Sequence, residues 1–255
     1  MEIAQENMEC YGCDKPIKKG DIFKRMKVEY EKRKQPFCEP CASRLMKIRG
    51  MMYWIGKNVT IGEYVELGLQ PKHQAGKLTI GDQAIIRSHT VIYAGNRIGN
   101  NFQTGHAVLI RENNTIGNNV SIGSHTVVER DTVIEDNVRV HSNCFIPEFV
   151  IIKKGAWLGP RLTILNVLHP PCPKFEECAK HVIISENVKI GGNVTILPRV
   201  TIGKNVLVGA GSVVTKDIPS DSVAQGNPAR VTKKIQDLKC PLGYYQTPYE
   251  WERTK

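Results

Sequence analysis

Aliphatic residues in this chain recur at every sixth position. From Ile80 to Ile164, fifteen consecutive sixth positions hold Ile, Leu or Val, with Thr104 the one exception. The same register precedes this run at Ile55, Ile61 and Leu67, and resumes at Ile184, Ile190, Ile196, Ile202, Val208 and Val214, giving twenty-four hexads. A period of six fits neither an α-helix nor a coiled coil. It suits a short strand plus a turn, with one side chain pointing inward each time. Three hexads then close a triangular coil of eighteen residues, and successive coils stack about 4.8 Å apart as parallel strands around one aliphatic column. The pattern predicts a mainly β chain: a hexapeptide-repeat solenoid of eight coils, a parallel β-helix.

Glycine often follows the aliphatic residue, as at Gly81, Gly99, Gly117 and Gly203, and is read as the residue that lets each corner turn. Small or branched residues such as Ala84, Val120, Val138 and Val206 recur four positions after it. The long break lies between Ile164 and Ile184, where an insert over residues 166–183 contains Pro170, Pro171 and Pro173. Loops that interrupt a rigid scaffold are where function concentrates.

The first fifty residues have a different grammar. Cys10-Tyr-Gly-Cys13 and Cys38-Glu-Pro-Cys41 form two CxxC pairs, the ligand spacing of a tetrahedral structural zinc site whose four thiolates leave no open position for chemistry. The segment between the pairs reads as a hairpin, and residues 42–49 as a short basic helix. Three regions follow: a zinc-binding module over 1–50, the solenoid over 51–218 with its insert, and a tail over 219–255 that covers the solenoid's end.

Close cysteine pairs, in place of a dispersed disulfide framework, point to a reducing compartment. Neither a secretory signal nor a membrane-spanning stretch is visible, so a cytoplasmic location and no membrane partner are expected. The formal charge of +10 suits a ligand carrying several phosphates. The basic surplus of the N-terminal module is read as a solvated face, with nucleic acid not the expected partner.

Residues 55–230 resemble the left-handed β-helix acyltransferases. The most specific stretch is IGKNVLVGAGSVVTKDIPSDSVAQGNPARV, residues 202–231, which is similar to the coenzyme A-binding terminus of that family. Residues 100–113 and 165–178 look most like the nucleotide-linked amino-sugar N-acetyltransferases. The resemblance implies a left-handed helix, acetyl-CoA as co-substrate, a nucleotide-linked amino sugar as acceptor, and a homotrimer with sites in the grooves between adjacent helices. It also implies that Gly209, Ala210 and Gly211 line the pantetheine arm and that Lys216 and Arg230 meet the coenzyme phosphates. Asn101, Gln103, His106 and Arg111, with His125, would contact the acceptor; Arg111 could instead pair with Glu129 on the next coil.

Acyl transfer benefits from a general base, and seven histidines compete for that role. His89, His106, His125 and His141 are spaced 17, 19 and 16 residues apart, close to one coil, which places them on one side of the solenoid in successive coils. His169 opens the insert, and Asn166-Val-Leu-His169-Pro is similar to the His-Pro segment that carries the base in the sugar O-acetyltransferase branch. The candidates for the chemistry are therefore His169, His106 and Asn166. Sugar or serine O-acetylation is the alternative enzyme reading, and a non-catalytic zinc-finger scaffold the alternative without catalysis. A γ-class carbonic anhydrase needs two zinc-binding histidines five residues apart, a spacing absent here.

Overall fold

The computed structural model describes residues 53–73, 75–179 and 181–249 with their side chains, and before them the backbone of several short strands only. Twenty-four short strands build the coils, and every coil-to-coil pairing is parallel. The first face runs from Met51–Ile55 and Leu78–Ile80 up to Thr201–Ile202, the second from Thr60–Ile61 up to Leu207–Val208, and the third from Glu66–Leu69 up to Val213–Val214. Each strand pairs with the strand eighteen residues on, as Arg97 does with Thr115 and Ile98 with Ile116, except where residues 70–77 and 165–182 lengthen a coil, the second insert ending one residue before the expected 183 because Ile183 already lies in a strand. Eight coils result, as the period predicts.

The inward column is the core. Ile80, Ile86, Ile92, Ile110, Ile146, Leu158, Ile164, Ile184 and Ile196 are fully buried, and Thr104, the one polar member, is buried too. Ile61 departs from the pattern at 39% exposed, because it sits on the edge strand of its face, with no strand paired beneath it among the described residues.

The glycine reading needs correction. The residue that turns each regular corner is the third after the aliphatic one, and it takes the left-handed conformation whatever its identity, except after Leu67, Ile164 and Val214, where the regular coil is interrupted or ends. Of the twenty described non-glycine residues at positive φ, nine are asparagine, among them Asn101, Asn119, Asn137 and Asn193. Asparagine tolerates this region because its short polar side chain bonds locally. Glycines such as Gly99 serve packing instead: a Cβ there would lie 2.8 Å from the backbone carbon of Gly117 on the next coil.

Side-chain ladders lace the corners. Asn118 and Asp136 accept, through Oδ1, the N–H of the residue one coil below, Asn100 and Asn118 respectively. Buried Asn96, Asn114 and Thr132 form an internal ladder: Asn96 Oδ1 accepts from Asn114 N at 2.9 Å and Asn114 Oδ1 from Thr132 N at 2.8 Å.

At the C-terminal end, Ser222–Gln225 joins the second face and Arg230–Lys234 folds back antiparallel along it, so the last coil does not present a long bare edge there. Toward the N-terminus, Ile22–Lys27 and Lys34–Cys38 pair antiparallel, matching the expected hairpin. Lys47–Ile48, expected within a helix, is a strand that pairs with Met51–Met52 and extends the first sheet. Cys10, Cys13 and Cys41 lie outside the described residues, and Cys38 is described in its backbone alone. Among the described residues no helix is long and apolar enough to cross a membrane.

Candidate active site

Three corners run along the solenoid, and they differ in chemistry. The corner between the second and third faces carries the four spaced histidines. His89, His106 and His125 are exposed and His141 is half-buried, on coils two to five in order. Hydroxyls from the neighbouring coils flank His106: Ser88 Oγ lies 2.9 Å from His106 Nδ1, and Ser124 Oγ accepts from His106 N at 2.9 Å.

Above His141 this corner carries Gly159-Pro160 with exposed Arg161 at the turn, and its side chains become small on the last two coils, at Gly191-Gly192 and then Gly209-Ala210-Gly211. Gly211 adopts φ of +72° with open space where a Cβ would stand, and Ala210 is exposed. A ligand can approach the backbone of Gly209, Ala210 and Gly211 without meeting bulky side chains of that segment. Three coil steps separate His141 from this segment, roughly 14 Å along the axis.

His141 has the most perturbed environment of the row. Its ring packs on Trp157 of the next coil with centroids 4.5 Å apart, and its Nε2 is buried with no hydrogen-bond partner. Burial, and then the charge of Arg139, push its pKa below the ordinary histidine value, so the ring is neutral near pH 7 and able to accept a proton. Spacing placed His141 in the row but gave no reason to prefer it. The signal is Trp157, eighteen residues less two beyond it, whose indole roofs the ring only once the coils are stacked.

The corner between the third and first faces is ionic. Arg111 Nε lies 3.0 Å from Glu112 and its Nη1 3.5 Å from Glu129, so the expected alternative pairing across coils is present. Burial, opposed by Arg111 and reinforced by Glu148, raises the Glu129 carboxyl above the usual range. Asn166 is buried and its Nδ2 donates to Glu148 Oε2 at 3.0 Å, anchoring the start of the insert; His169 is exposed beyond it.

The sequence-derived acceptor set is therefore not one cluster within a single chain. Asn101 stands on the corner between the first and second faces, where its Nδ2 donates to Asn119 Oδ1 at 3.0 Å. Gln103 points outward from the second face, His106 and His125 share the histidine corner, and Arg111 is on the ionic one. His106 and Asn166 likewise occupy different corners. Gly209, Ala210 and Gly211 share the histidine corner, whereas Lys216 follows the last third-face strand and Arg230 lies on the folded-back strand, both exposed. A cavity of about 690 Å³ at the corner between the first and second faces, walled by Lys189, Asn205, Ser222, Lys234 and Tyr249, contains none of these residues. Among the described residues no group of three or more metal-ligating side chains gathers.

Comparison with known proteins agrees with the repeat. Residues 181–216 match the family model of the bacterial transferase hexapeptide (six repeats), and residues 113–147 that of the hexapeptide repeat of succinyl-transferase. The chain carries the hexapeptide repeats of these transferases. A galactoside O-acetyltransferase of Lactococcus lactis is 38% identical over 92 residues, 34% of this chain and 44% of that protein. The chain thus spans less than half the length of the curated relatives it matches. Among solved structures, a galactoside acetyltransferase in complex with coenzyme A is 30% identical, covering 58% of this chain and 66% of the other, with a TM-score of 0.34. A hexapeptide-repeat acetyltransferase from Vibrio cholerae complexed with acetyl coenzyme A is 26% identical, covering 56% and 72%, with a TM-score of 0.29.

Proposed function

We propose that this chain is an acetyl-CoA-dependent acetyltransferase whose acceptor is the amine of a nucleotide-linked amino sugar. The observation that carries the reading is the histidine corner: the small residues Gly191-Gly192 and Gly209-Ala210-Gly211 stand two and three coils above His141, on the same edge as the row of imidazoles and within repeats that match transferase models. The small-residue segment takes the pantetheine arm, and Lys216 and Arg230 meet the coenzyme phosphates as charge-assisted contacts. The acceptor amine attacks the thioester carbonyl; the tetrahedral intermediate collapses, the carbon–sulfur bond breaks, and the leaving thiolate takes up the proton lost by the amine.

His169 is the proposed base, from its place in the His-Pro segment of the insert, with His141 the second candidate from its neutral, unpartnered ring. His169 and the small-residue segment leave the solenoid at different corners. The site is therefore proposed to close between neighbouring copies of the chain in a homotrimer, one copy's insert reaching another's histidine corner. The four N-terminal cysteines are proposed to hold a structural zinc, and the chain to work in the cytoplasm. A second reading, O-acetylation of a sugar hydroxyl, is favoured by the identity to the galactoside O-acetyltransferase.

The test is a competition in which acetyl-CoA is offered equal amounts of nucleotide-linked amino sugars and their hydroxyl counterparts, with products read by mass. Acetylation confined to the amino sugars supports the proposal, and acetylation of the hydroxyl sugars replaces it with the second reading. The same assay on His169→Ala and His141→Gln assigns the base: loss of about 10²-fold or more in kcat marks it.

A further inference from the structure

The insert carries a pair of thiols that none of this chemistry uses. Cys172 and Cys178 are both free and half-buried, with their sulfurs 2.8 Å apart. Cys172 precedes the single helical turn Phe175–Cys178 and Cys178 ends it; Cys178 N donates to Lys174 O at 2.9 Å and Ala179 N to Phe175 O at 2.8 Å. The far side of the turn is tied to the solenoid: Ala179 is buried, Arg130 pairs with Glu176 at 2.5 Å, and His181 Nδ1 meets Phe149 O. The near side, from Leu168 to Pro171, is exposed and contains His169.

From this arrangement we infer that Cys172 and Cys178 are a reversible dithiol–disulfide clip that locks the exposed arm of the insert to its anchored turn. A covalent bond needs the sulfurs to close by roughly 0.8 Å, to about 2.0 Å, which is small for an exposed loop. The oxidant is a small-molecule disulfide. One cysteine thiolate attacks it, releasing one thiol and leaving a mixed disulfide; the second cysteine, losing its proton to solvent, attacks that bond and releases the second thiol. Two electrons pass from the cysteine pair to the small disulfide, and its two halves leave reduced. Because the arm bears His169, the clip also sets the rate of acetyl transfer, a consequence that rests on the acetyltransferase reading.

Lys174 lies between the two cysteines, which supplies a test independent of activity. The full-length chain is equilibrated in glutathione buffers from reduced to oxidised, free thiols are alkylated, and a tryptic digest is analysed without reduction. Cleavage after Lys174 separates the two cysteines, so the clip appears as two peptides joined by one disulfide, lost on reduction and absent in Cys172→Ser. Cysteines recovered only as alkylated thiols or as separate glutathione adducts overturn the pair. On the folded protein, oxidation is expected to slow cutting at Lys174 at least about fivefold in wild type and not in the Cys172→Ser/Cys178→Ser variant; equal rates overturn the clip. In active preparations, oxidation should shift kcat at least about threefold in wild type alone. An unchanged kcat in protein that carries the linked peptides overturns the regulatory consequence.

Discussion

At each corner two positions carry different burdens, and the sequence pattern exposes only one of them. Gly99 is constrained by the next coil: its ordinary backbone would accept a side chain, but the Gly117 backbone occupies the space. Gly99→Ala should cost about 1–3 kcal/mol, as overpacking does, whereas Asn119→Gly, at a positive φ, should be nearly neutral despite losing its two exposed side-chain ladder bonds, to Asn101 and Asn137. Chemical denaturation of the two variants checks the contrast. His141 gives a pH prediction. Its folded pKa lies below the unfolded value, so the unfolded chain binds the extra proton first. The native state then loses stability as pH falls through about 6.5 and toward the lower folded pKa. Replacing His141 with Gln should remove that part of the acid sensitivity, seen as a flatter dependence of Tm on pH between neutral and mildly acidic buffers.

Single strands of two residues cannot be stable alone, and the ladders explain how they are held. Asn114 satisfies three buried groups at once: it donates to Arg111 O, accepts from Thr132 N, and gives its own N–H to Asn96 Oδ1. Asn114→Leu leaves Thr132 N without its acceptor in a site closed to water. A loss of about 2–4 kcal/mol is expected, with the calorimetric transition still a single step if the coils melt together. The strands themselves were legible because an inward residue every sixth position is a one-dimensional signal. The ladders were less so, since Asn96, Asn114 and Thr132 fill positions where the repeat elsewhere places valine, and only stacking reveals that they bond to one another. The same limit applied to Lys47–Ile48, whose strand arises from a partner, Met51–Met52, and not from local propensity.

Over the whole molecule, the eight coils and the position of the insert followed from period alone, while the site did not. Residues adjacent in sequence, such as Gln103 and His106, are sent to a face and a corner by the coil geometry. Residues far apart, such as His141 and Ala210, are brought onto one edge. That separation is why a cluster assembled from neighbouring sequence positions proved to be spread over three corners. The four N-terminal cysteines carry their own prediction: metal analysis of the purified chain should find about one zinc per chain, lost in Cys13→Ser.

The central claim is that acetyl-CoA is consumed at the histidine corner, and thiol release from acetyl-CoA in wild type and Ala210→Trp tests it most directly. Ala210 is exposed and makes no side-chain bond, so the indole should obstruct the donor without disturbing the fold. The account predicts acceptor-dependent thiol release in wild type and a rise of about tenfold or more in the KM for acetyl-CoA in the variant, a loss of about 1.4 kcal/mol in donor binding. Absence of thiol release with every acceptor, or an unchanged KM in a folded Ala210→Trp protein, would contradict it.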